Sequence, residues 1–485
     1  MLTPRNLKLF SRSTGVPSMV MGLCSLSYLL KSTTGSLVLL VLSKRWFSLH
    51  QCVRLHTSSL YKHRMRRFWL QRKLTKVIPF FSTLIILVYV CTIVFSNEDD
   101  SRLNTLGSMF VRPRLTIKHG INCSAIYDME PVEVQKSLVV RKSYVGPSDK
   151  NVVNATSDCD RFVVSDGFDA IQGSEFEREF PLAYSLVVHK NADLVERLLR
   201  AIYMPHNVYC IHYDQKSSDD FKSAMQGLTR CLPNVFIASK LERVQYADIS
   251  RLKAELNCLS DLMESEVKWK YIINLCGQDF PLRTNAELVS DLKMLKGKNM
   301  MESKRPGEKK QRWSFHHALK NDKAEYHEYP VRTSEEKPPP PHNIEMFVGS
   351  AYFTLSREFV LFVQRSPLAT DFLSWSEDTY SPDEHFWATL VRVPGVPGEV
   401  LRSDPDITEL HSKTHLVKWS YLEENLYPPC TGEHIRAVCV YGAAELRWLL
   451  NYGHWFANKV DPNIDPILIE CLEEKLLEKR LISKS

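Results

Sequence analysis

The sequence predicts an α/β fold built on a mixed, mostly parallel sheet with flanking helices. From Phe180 onwards, short apolar runs alternate with segments of helical periodicity, which is the pattern of repeated βαβ units. Polar residues follow several of these apolar runs, at the edge where parallel sheets bind ligands. Closer to the N-terminus lies one long uncharged segment suited to crossing a membrane. A chain of 485 residues with these features is expected to be one large folded unit with additional segments.

Residues 1–76 are expected to form a basic cytosolic tail. The first 97 residues contain no Asp or Glu, and 14 of the 62 Lys and Arg residues lie before position 77. The other 48 basic residues are outnumbered by 56 acidic residues, which gives the rest of the chain a formal charge of −8. This composition indicates no nucleic-acid surface on the folded part. Residues 1–60 resemble a transit peptide in composition but predict no function, and Met65 is a plausible working start.

Residues 77–95 form the predicted membrane anchor. The segment has no charged residue, and as a helix rising 1.5 Å per residue it can cross a bilayer core of roughly 30 Å. Lys and Arg residues are frequent just before it, and acidic residues 98–100 follow it. The positive-inside rule therefore places the N-terminus in the cytosol. No small-residue cleavage site follows, so we expect a retained signal anchor.

Residues 96–180 are expected to be a lumenal stem or lead-in, because the segment is polar and lacks clear periodicity. It holds two N-glycosylation sequons, at Asn122 and Asn154. A catalytic domain is expected over residues 181–475, followed by a C-terminal tail over residues 476–485.

Cysteine usage indicates an oxidising compartment. Three cysteines lie in or before the predicted anchor and nine lie beyond it, which suggests several disulfides and one odd thiol. The sequence alone cannot fix their pairing. A zinc site is disfavoured because no pair of Cys-x-x-Cys motifs occurs, and the spacing of Cys430 and Cys439 does not suit a ligand knuckle.

The expected elements from Phe180 alternate between strand and helix. His189, Asp214 and the turn 276–279 fall at the carboxyl ends of predicted strands. A polar, basic loop is expected over 297–341 and is either functional or disordered. The predicted strands are 182–189, 207–213, 235–238, 271–275 and 347–355, and the predicted helices are 192–202, 251–263 and 357–363.

The stretch from Trp375 to Leu390 is the principal candidate for chemistry. Pro382 suits the first turn of a helix and Ser381 can cap it, so a helix is expected through Arg392, with Asp383 and Glu384 in its first turn. A carboxylate beside an aromatic wall is what a sugar-handling enzyme needs for a general base. The alternative is that the two carboxylates only cap a surface helix. The aromatic neighbours expected to form the wall are Trp375, Tyr380, Phe386 and Trp387.

Six sequence blocks carry a resemblance to a known family. They are Leu-Leu-Arg-Ala-Ile-Tyr at 198–203, Tyr-Cys-Ile-His-Tyr-Asp at 209–214, Asn-Leu-Cys-Gly-Gln-Asp-Phe-Pro at 274–281, Gly-Ser-Ala-Tyr-Phe at 349–353, Asp-Thr-Tyr-Ser-Pro-Asp-Glu at 378–384 and Trp-Phe-Ala-Asn-Lys at 455–459. In order and spacing the chain resembles the core 2 type β-1,6-N-acetylglucosaminyltransferases, Golgi enzymes that branch mucin-type O-glycans. The resemblance covers about residues 122–472.

The resemblance implies a GT-A type fold and transfer of N-acetylglucosamine (GlcNAc) from UDP-GlcNAc with inversion. Inversion in one step needs a single base to take the proton of the acceptor hydroxyl. Glu384 occupies the position of the family's base. No covalent enzyme intermediate forms in such a transfer, so Cys276 is expected to be a bystander thiol.

The family is metal-independent, so no metal or other cofactor is expected. Where many GT-A enzymes carry a metal-binding Asp-x-Asp, this sequence reads Gly277-Gln278-Asp279. The Asp-x-Asp letters at 158–160 and 404–406 are taken as chance matches. Arg436 and Lys459 match the family's residues that neutralise the leaving UDP, a task for which fixed cations suffice in a dry site.

The resemblance also assigns the remaining binding positions and the disulfides. Aligning Glu302 with the family's residue requires a one-residue shift against some members. His189 could equally be a buried core histidine. Asp248-Ile249 departs from the Ser-Trp that other members have at that place. The donor set is Val187, His189, Asp214, Tyr246, Arg436 and Lys459, and the acceptor set is Glu302, Lys309, Arg312, Trp419 and Tyr421. The implied disulfides are Cys123–Cys471, Cys159–Cys231, Cys210–Cys258 and Cys430–Cys439, which leaves Cys276 free.

The expected function is β-1,6 transfer of GlcNAc to the GalNAc of Galβ1-3GalNAc on Ser or Thr. Alternatives are β-1,6 branching of core 3 or poly-N-acetyllactosamine acceptors, and a non-catalytic lumenal glycan-binding protein of the same fold. The expected partners are UDP-GlcNAc, mucin-type O-glycosylated glycoproteins and the Golgi membrane, with the chain as a single-pass type II protein.

Overall fold

The computed structural model describes residues 119–322, 327–408 and 410–482. The predicted anchor and the extension before it lie outside these ranges. Within them, no helix is long and apolar enough to cross a bilayer.

Residues 123–178 form short helices, whereas the sequence predicted an irregular lead-in. Their weak periodicity has a physical cause: the longest of them, α2, buries Glu133 and Ser137 and no apolar residue. Two disulfides, Cys123–Cys471 and Cys159–Cys231, join this region to the rest of the domain. The helices are α1 (Cys123–Tyr127), α2 (Pro131–Ser143), α3 (Asp149–Ala155), α4 (Cys159–Ser165) and α5 (Glu175–Arg178).

A six-stranded sheet forms the centre of the fold, in the order β3-β2-β1-β4-β9-β6. Strands β1 to β4 are parallel, and β9 runs antiparallel to β4, so the sheet is mixed and mostly parallel, as predicted. All seven residues of β1 are buried, as expected for a strand covered on both faces. The strands are β1 (Leu182–Val188), β2 (Val208–Tyr213), β3 (Val235–Ile237), β4 (Tyr271–Cys276), β6 (Met300–Met301) and β9 (Phe353–Ser356).

The strand predicted from residue 347 begins only at Phe353. Before it, Gly349 passes so close to another segment that a Cβ at this position would lie 1.9 Å from the carbonyl oxygen of Glu302. Only a glycine allows that approach, and it brings the segment 302–304 next to residue 349.

Helices cover the central sheet. The predicted helix 192–202 has those limits in the structure, with the Asn191 side chain accepting from the Leu194 N–H at 3.2 Å. The helices beyond the lead-in are α6 (Ala192–Ile202), α7 (Asp219–Cys231), α8 (Ile249–Glu264), α9 (Asn285–Leu295), α10 (Arg357–Arg365), α11 (Pro367–Ser376), α12 (Phe386–Leu390), α13 (Leu446–Tyr452) and α14 (Pro466–Ile482).

The segment predicted as a long loop over 297–341 contains defined structure. It includes a 3₁₀ turn over Gly307–Arg312 and an antiparallel hairpin of β7 (Phe315–Asp322) and β8 (His327–Glu336). Polar residues occupy much of both strands, so the hairpin gives no alternating pattern in the sequence.

The C-terminal part adds a small sheet and a hairpin. The small sheet has the order β10-β13-β5, from β10 (His415–Val417), β13 (Phe456–Asn458) and β5 (Asp279–Pro281). The hairpin joins β11 (Glu433–Ile435) to β12 (Val438–Val440). Helix α14 continues through the predicted boundary at 475 with Leu476 buried, so most of the expected tail belongs to the domain.

Candidate active site

The predicted base lies in a 3₁₀ turn over Pro382–Glu384, and helix α12 begins only at Phe386. Ser381 precedes the turn in the left-handed region, with φ 47°, and its side chain makes no cap. Its N–H instead donates to the Ala247 carbonyl at 2.8 Å, and the Glu384 carbonyl accepts from the Gly349 N–H at 2.7 Å. The expected Ser381 cap is therefore wrong. The turn is held between two other segments of the fold.

The predicted aromatic wall is only partly present. Phe386 and Trp387 are buried among the apolar residues below the turn, because α12 faces the core. Trp375 stacks on Phe372 and donates from its indole N–H to the Pro338 carbonyl at 2.9 Å. Tyr380 remains half-buried beside the turn.

The two carboxylates of the turn have different environments. Asp383 is buried, which raises its pKa to about 7, and the negative charge of Glu384 adds to that shift. The Glu384 side chain is 31% exposed and forms an ion pair with Arg312. Glu384 is therefore the carboxylate that a ligand can reach, and the interpretation in which both only cap a helix does not fit this geometry.

Predicted acceptor residues gather around Glu384. Arg312 and Lys309 lie on the 3₁₀ turn 307–312. Burial lowers the pKa of Lys309, the negative charge of Glu384 opposes that shift, and Arg312 and Lys304 act in the same direction as burial. Glu302 is buried and pairs with Lys304 at 2.6 Å. Three of the five predicted acceptor residues thus share one cluster of charges with the base.

Lys304, which no sequence motif marks, also joins that cluster. Its position two residues after Glu302 was the only signal available for it. Arg251 was missed as well: it lies on α8, forms an ion pair with Glu255 at 2.8 Å and lowers the pKa of Asp383 against the effect of burial. No local motif marks a cation of that kind.

Trp419 and Tyr421 lie against the β11–β12 hairpin. Their rings stack at 5.6 Å between centroids. Trp419 forms a β-bridge with Val438, and the Ser420 N–H donates to the Ala437 carbonyl at 2.9 Å. The aromatic pair therefore flanks the loop that carries Arg436.

Arg436 occupies the tip of that hairpin. Arg436 and Ala437 both have positive φ, 51° and 64°, as a two-residue type I′ turn requires. The Cys430–Cys439 disulfide lies at the base of the hairpin. The Arg436 guanidinium carbon lies 4.7 Å from the centre of the Tyr246 ring, within cation–π range. The carbonyl of Ala247, the residue after Tyr246, accepts the hydrogen bond from the Ser381 N–H. The Arg436 guanidinium therefore lies near the 3₁₀ turn Pro382–Glu384, called the base turn below.

Lys459 follows β13 and is supported by the same hairpin. Its carbonyl accepts from the Tyr441 N–H at 2.9 Å, and its N–H donates to the Cys439 carbonyl at 3.5 Å. Both predicted diphosphate cations are thus attached to one disulfide-closed element.

Three of the four predicted uridine and ribose residues lie at the carboxyl ends of β1 and β2: Val187, His189 and Asp214. Val187 is buried in β1, and the Asp214 N–H donates to the Val188 carbonyl at 3.0 Å. Asp214 also accepts from the Val244 N–H at 3.4 Å, which joins it to the loop that carries Tyr246. His189 is exposed, so it is not a buried core histidine.

Asp279 cannot easily serve as a metal ligand. It is fully buried and accepts from the Cys276 N–H at 2.6 Å, the Asn458 amide at 2.7 Å and His415 Nε2 at 3.2 Å. Both carboxylate oxygens are therefore already occupied. The Asp-x-Asp letters elsewhere also have structural roles, since Asp158 caps α4 and Asp406 pairs with Arg305 at 2.9 Å.

The cysteines pair as the resemblance implied. The structure has disulfides Cys123–Cys471, Cys159–Cys231, Cys210–Cys258 and Cys430–Cys439, and Cys276 is the free thiol among the described residues. Burial raises the pKa of Cys276 to about 12, so the nucleophilic thiolate is disfavoured there. The sequons at Asn122 and Asn154 are exposed.

Comparison with known proteins finds one matching family and several similar chains. The family model described as Core-2/I-Branching enzyme matches residues 182–450. Beta-1,3-galactosyl-O-glycosyl-glycoprotein beta-1,6-N-acetylglucosaminyltransferase 4 of Danio rerio is 63% identical over 75% of this chain and 85% of its own length. The mouse protein of that name is 57% identical over 77% and 84%, and the human transferase 3 is 44% identical over 76% and 85%.

Among solved structures, mouse xyloside xylosyltransferase 1 in its apo form is 14% identical and covers 43% of this chain and 81% of its own. The TM-score of this match is 0.23.

Proposed function

The chain belongs to the core-2/I-branching enzyme family, and we propose that it transfers GlcNAc from UDP-GlcNAc to the 6-hydroxyl of GalNAc in Galβ1-3GalNAc on Ser or Thr. It is a β-1,6-N-acetylglucosaminyltransferase, as its relatives are named. The single observation that carries the proposal for this site is the accessible carboxylate of Glu384, paired with Arg312 beside a buried Asp383.

In the proposed reaction, Glu384 accepts the proton of the acceptor hydroxyl as that oxygen attacks the anomeric carbon of GlcNAc. The bond to UDP breaks on the opposite face, so the configuration inverts and no covalent enzyme intermediate forms. A positioned general base of this kind contributes about 10²- to 10⁴-fold to the rate. Asp383 is poorly suited to the same task because it is buried.

Arg436 and Lys459 neutralise the negative charge that develops on UDP. They are attached to one disulfide-closed hairpin, which reduces the reorganisation needed when the diphosphate leaves. Asp279 is occupied by three donors, and this supports a reaction that needs no metal.

The remaining donor and acceptor residues follow from the same assignment. Val187, His189, Asp214 and Tyr246 bind the uridine and ribose. Glu302, Lys309 and Arg312 bind the acceptor sugar through its hydroxyls, and Trp419 and Tyr421 provide an aromatic surface for a pyranose face. The catalytic domain adopts a GT-A type fold.

We place the enzyme in the Golgi membrane as a single-pass type II protein anchored by residues 77–95, with its catalytic domain in the lumen. The uncharged segment, its basic flank and the four disulfides support this location. O-glycosylated glycoproteins of the mucin type would then be its acceptors.

Transfer from labelled UDP-GlcNAc to three acceptors tests the proposal: Galβ1-3GalNAc, the core 3 disaccharide and poly-N-acetyllactosamine. We expect Galβ1-3GalNAc to have the highest kcat/KM, with a β-1,6 linkage in the product. Preference for either other acceptor would contradict the core 2 assignment while leaving the transferase chemistry intact. Donor binding without product from all three would contradict the reaction itself.

A further inference from the structure

The β7–β8 hairpin contacts the segment that leads into the base turn. It begins three residues after Arg312, whose carbonyl accepts from the Tyr380 N–H at 2.8 Å. The His317 N–H donates to the Asp378 carbonyl at 2.8 Å, and the carboxylate of Asp378 forms ion pairs with His316 and Lys337. The segment 378–380, which leads into the base turn, therefore runs along the outer edge of β7.

Hydrogen-bond alternation in the hairpin shows which groups of β7 point outwards. Pairing is regular from His317–Arg332 through Ala318–Val331 and Leu319–Pro330. The His317 N–H points away from β8, because it bonds to Asp378. In an antiparallel pair this direction repeats every second residue. The N–H and C=O of Leu319 therefore also point outwards, further along the same edge.

The outer edge of β8 is a poorer template for another strand. Pro330 is paired with Leu319, so its backbone nitrogen also points away from the partner strand. Proline has no N–H to donate at that position. A proline of this kind is a common way to block an edge strand. No such residue stands on the described part of β7, where Leu319 is 50% exposed. The hairpin thus has one blocked edge and one edge that can accept a strand.

We propose that the outer edge of β7 binds the polypeptide of the acceptor glycoprotein in an extended conformation. This inference rests on the proposed function, in which the 6-hydroxyl of a GalNAc joined to Ser or Thr reaches Glu384. The peptide bearing that sugar must then lie within one sugar ring of the base, next to the segment 378–380 and the start of β7. Main-chain hydrogen bonds to an open edge give affinity with little dependence on side chains, so many different glycoproteins can be bound.

The test compares two acceptors with the full-length enzyme: free Galβ1-3GalNAc with a small aglycone, and a glycopeptide carrying the same disaccharide on Thr. Leu319→Pro removes the outward N–H without removing a bond between β7 and β8. We expect it to lower kcat/KM for the glycopeptide about 3- to 10-fold and to leave kcat/KM for the free disaccharide unchanged. Val132→Ser, at an exposed apolar residue of α2, is the control and should change neither value.

A change in the acceptor keeps the inference testable even if Leu319→Pro impairs folding. N-methylation of alternate peptide amides beside the glycosylated Thr should lower kcat/KM of the wild-type enzyme by a similar factor. Equal loss with both acceptors in a Leu319→Pro enzyme that unfolds at the same urea concentration as the wild type, or no loss from either change, would overturn the inference. Self-association of the wild type that Leu319→Pro abolishes, with both kcat/KM values unchanged, would assign the edge to a second copy and also overturn it. Failure of the wild type to use the free disaccharide would instead contradict the proposed function.

Discussion

Replacing Asp383 by asparagine should stabilise the protein at alkaline pH. Burial raises the pKa of Asp383 from 3.8 to about 7, the charge of Glu384 adds to the shift, and Arg251 opposes it. Between these two values the folded state keeps a proton that the unfolded state has released. Stability therefore falls as pH rises through this interval, by about 1.4 kcal/mol per unit.

The full difference is on the order of 4 kcal/mol above pH 7. The asparagine side chain of Asp383→Asn resembles the protonated acid and has no charge to bury, so this destabilisation should be absent from the variant. Unfolding in urea at pH 5 and pH 8 measures this difference in stability. The free energy of unfolding should be higher for the variant than for the wild type at both pH values, and the excess should be larger at pH 8. The control Asp169→Asn, at an exposed residue, should keep the wild-type pH profile.

The same variant also tests the assignment of the base, because Asp383→Asn should retain transferase activity within a few-fold. Parallel stability profiles of the variant and the wild type from pH 5 to pH 8 would refute a raised pKa of Asp383 in the folded state. The assignment of the base would be refuted if the variant lost activity while remaining folded.

Two further predictions concern the leaving group. Arg436→Ala and Lys459→Ala should each raise the donor KM and lower kcat, so that donor kcat/KM falls about 10- to 100-fold. The reason is that each variant removes a charge that faces the diphosphate before and during transfer. The acceptor KM should change little, and the control is Lys142→Ala on the exposed surface of α2. Unaltered donor kinetics in both variants would exclude them from the donor site. Activity should also survive excess EDTA; loss on chelation with recovery in Mn²⁺ would show that a metal performs the task given to these cations.

The parallel strands of the central sheet could be predicted because their apolar residues are buried on both faces. Strand β1 is a continuous buried run, and α6 has a cap residue and strong apolar periodicity. The β7–β8 hairpin had no such pattern, because polar residues occupy much of both strands. Helix α2 was missed because it buries a Glu and a Ser.

Prediction of the site residues depended more on the family resemblance than on local sequence patterns. Nothing in the sequence near Arg436 predicts a type I′ turn, because neither Arg436 nor Ala437 is a residue that favours positive φ. Ser381 was expected to cap a helix, but its left-handed backbone turns its N–H towards Ala247. The ion pair of Arg312 with Glu384 joins residues far apart in the chain and requires the fold to bring them together.

The central claim is that Glu384 is the general base, and kcat of Glu384→Gln with Galβ1-3GalNAc tests it most directly. Glutamine keeps the shape of the side chain but cannot accept the acceptor proton. We predict that kcat falls by at least about 10²-fold while UDP-GlcNAc still binds. A kcat near that of the wild type would contradict the assignment.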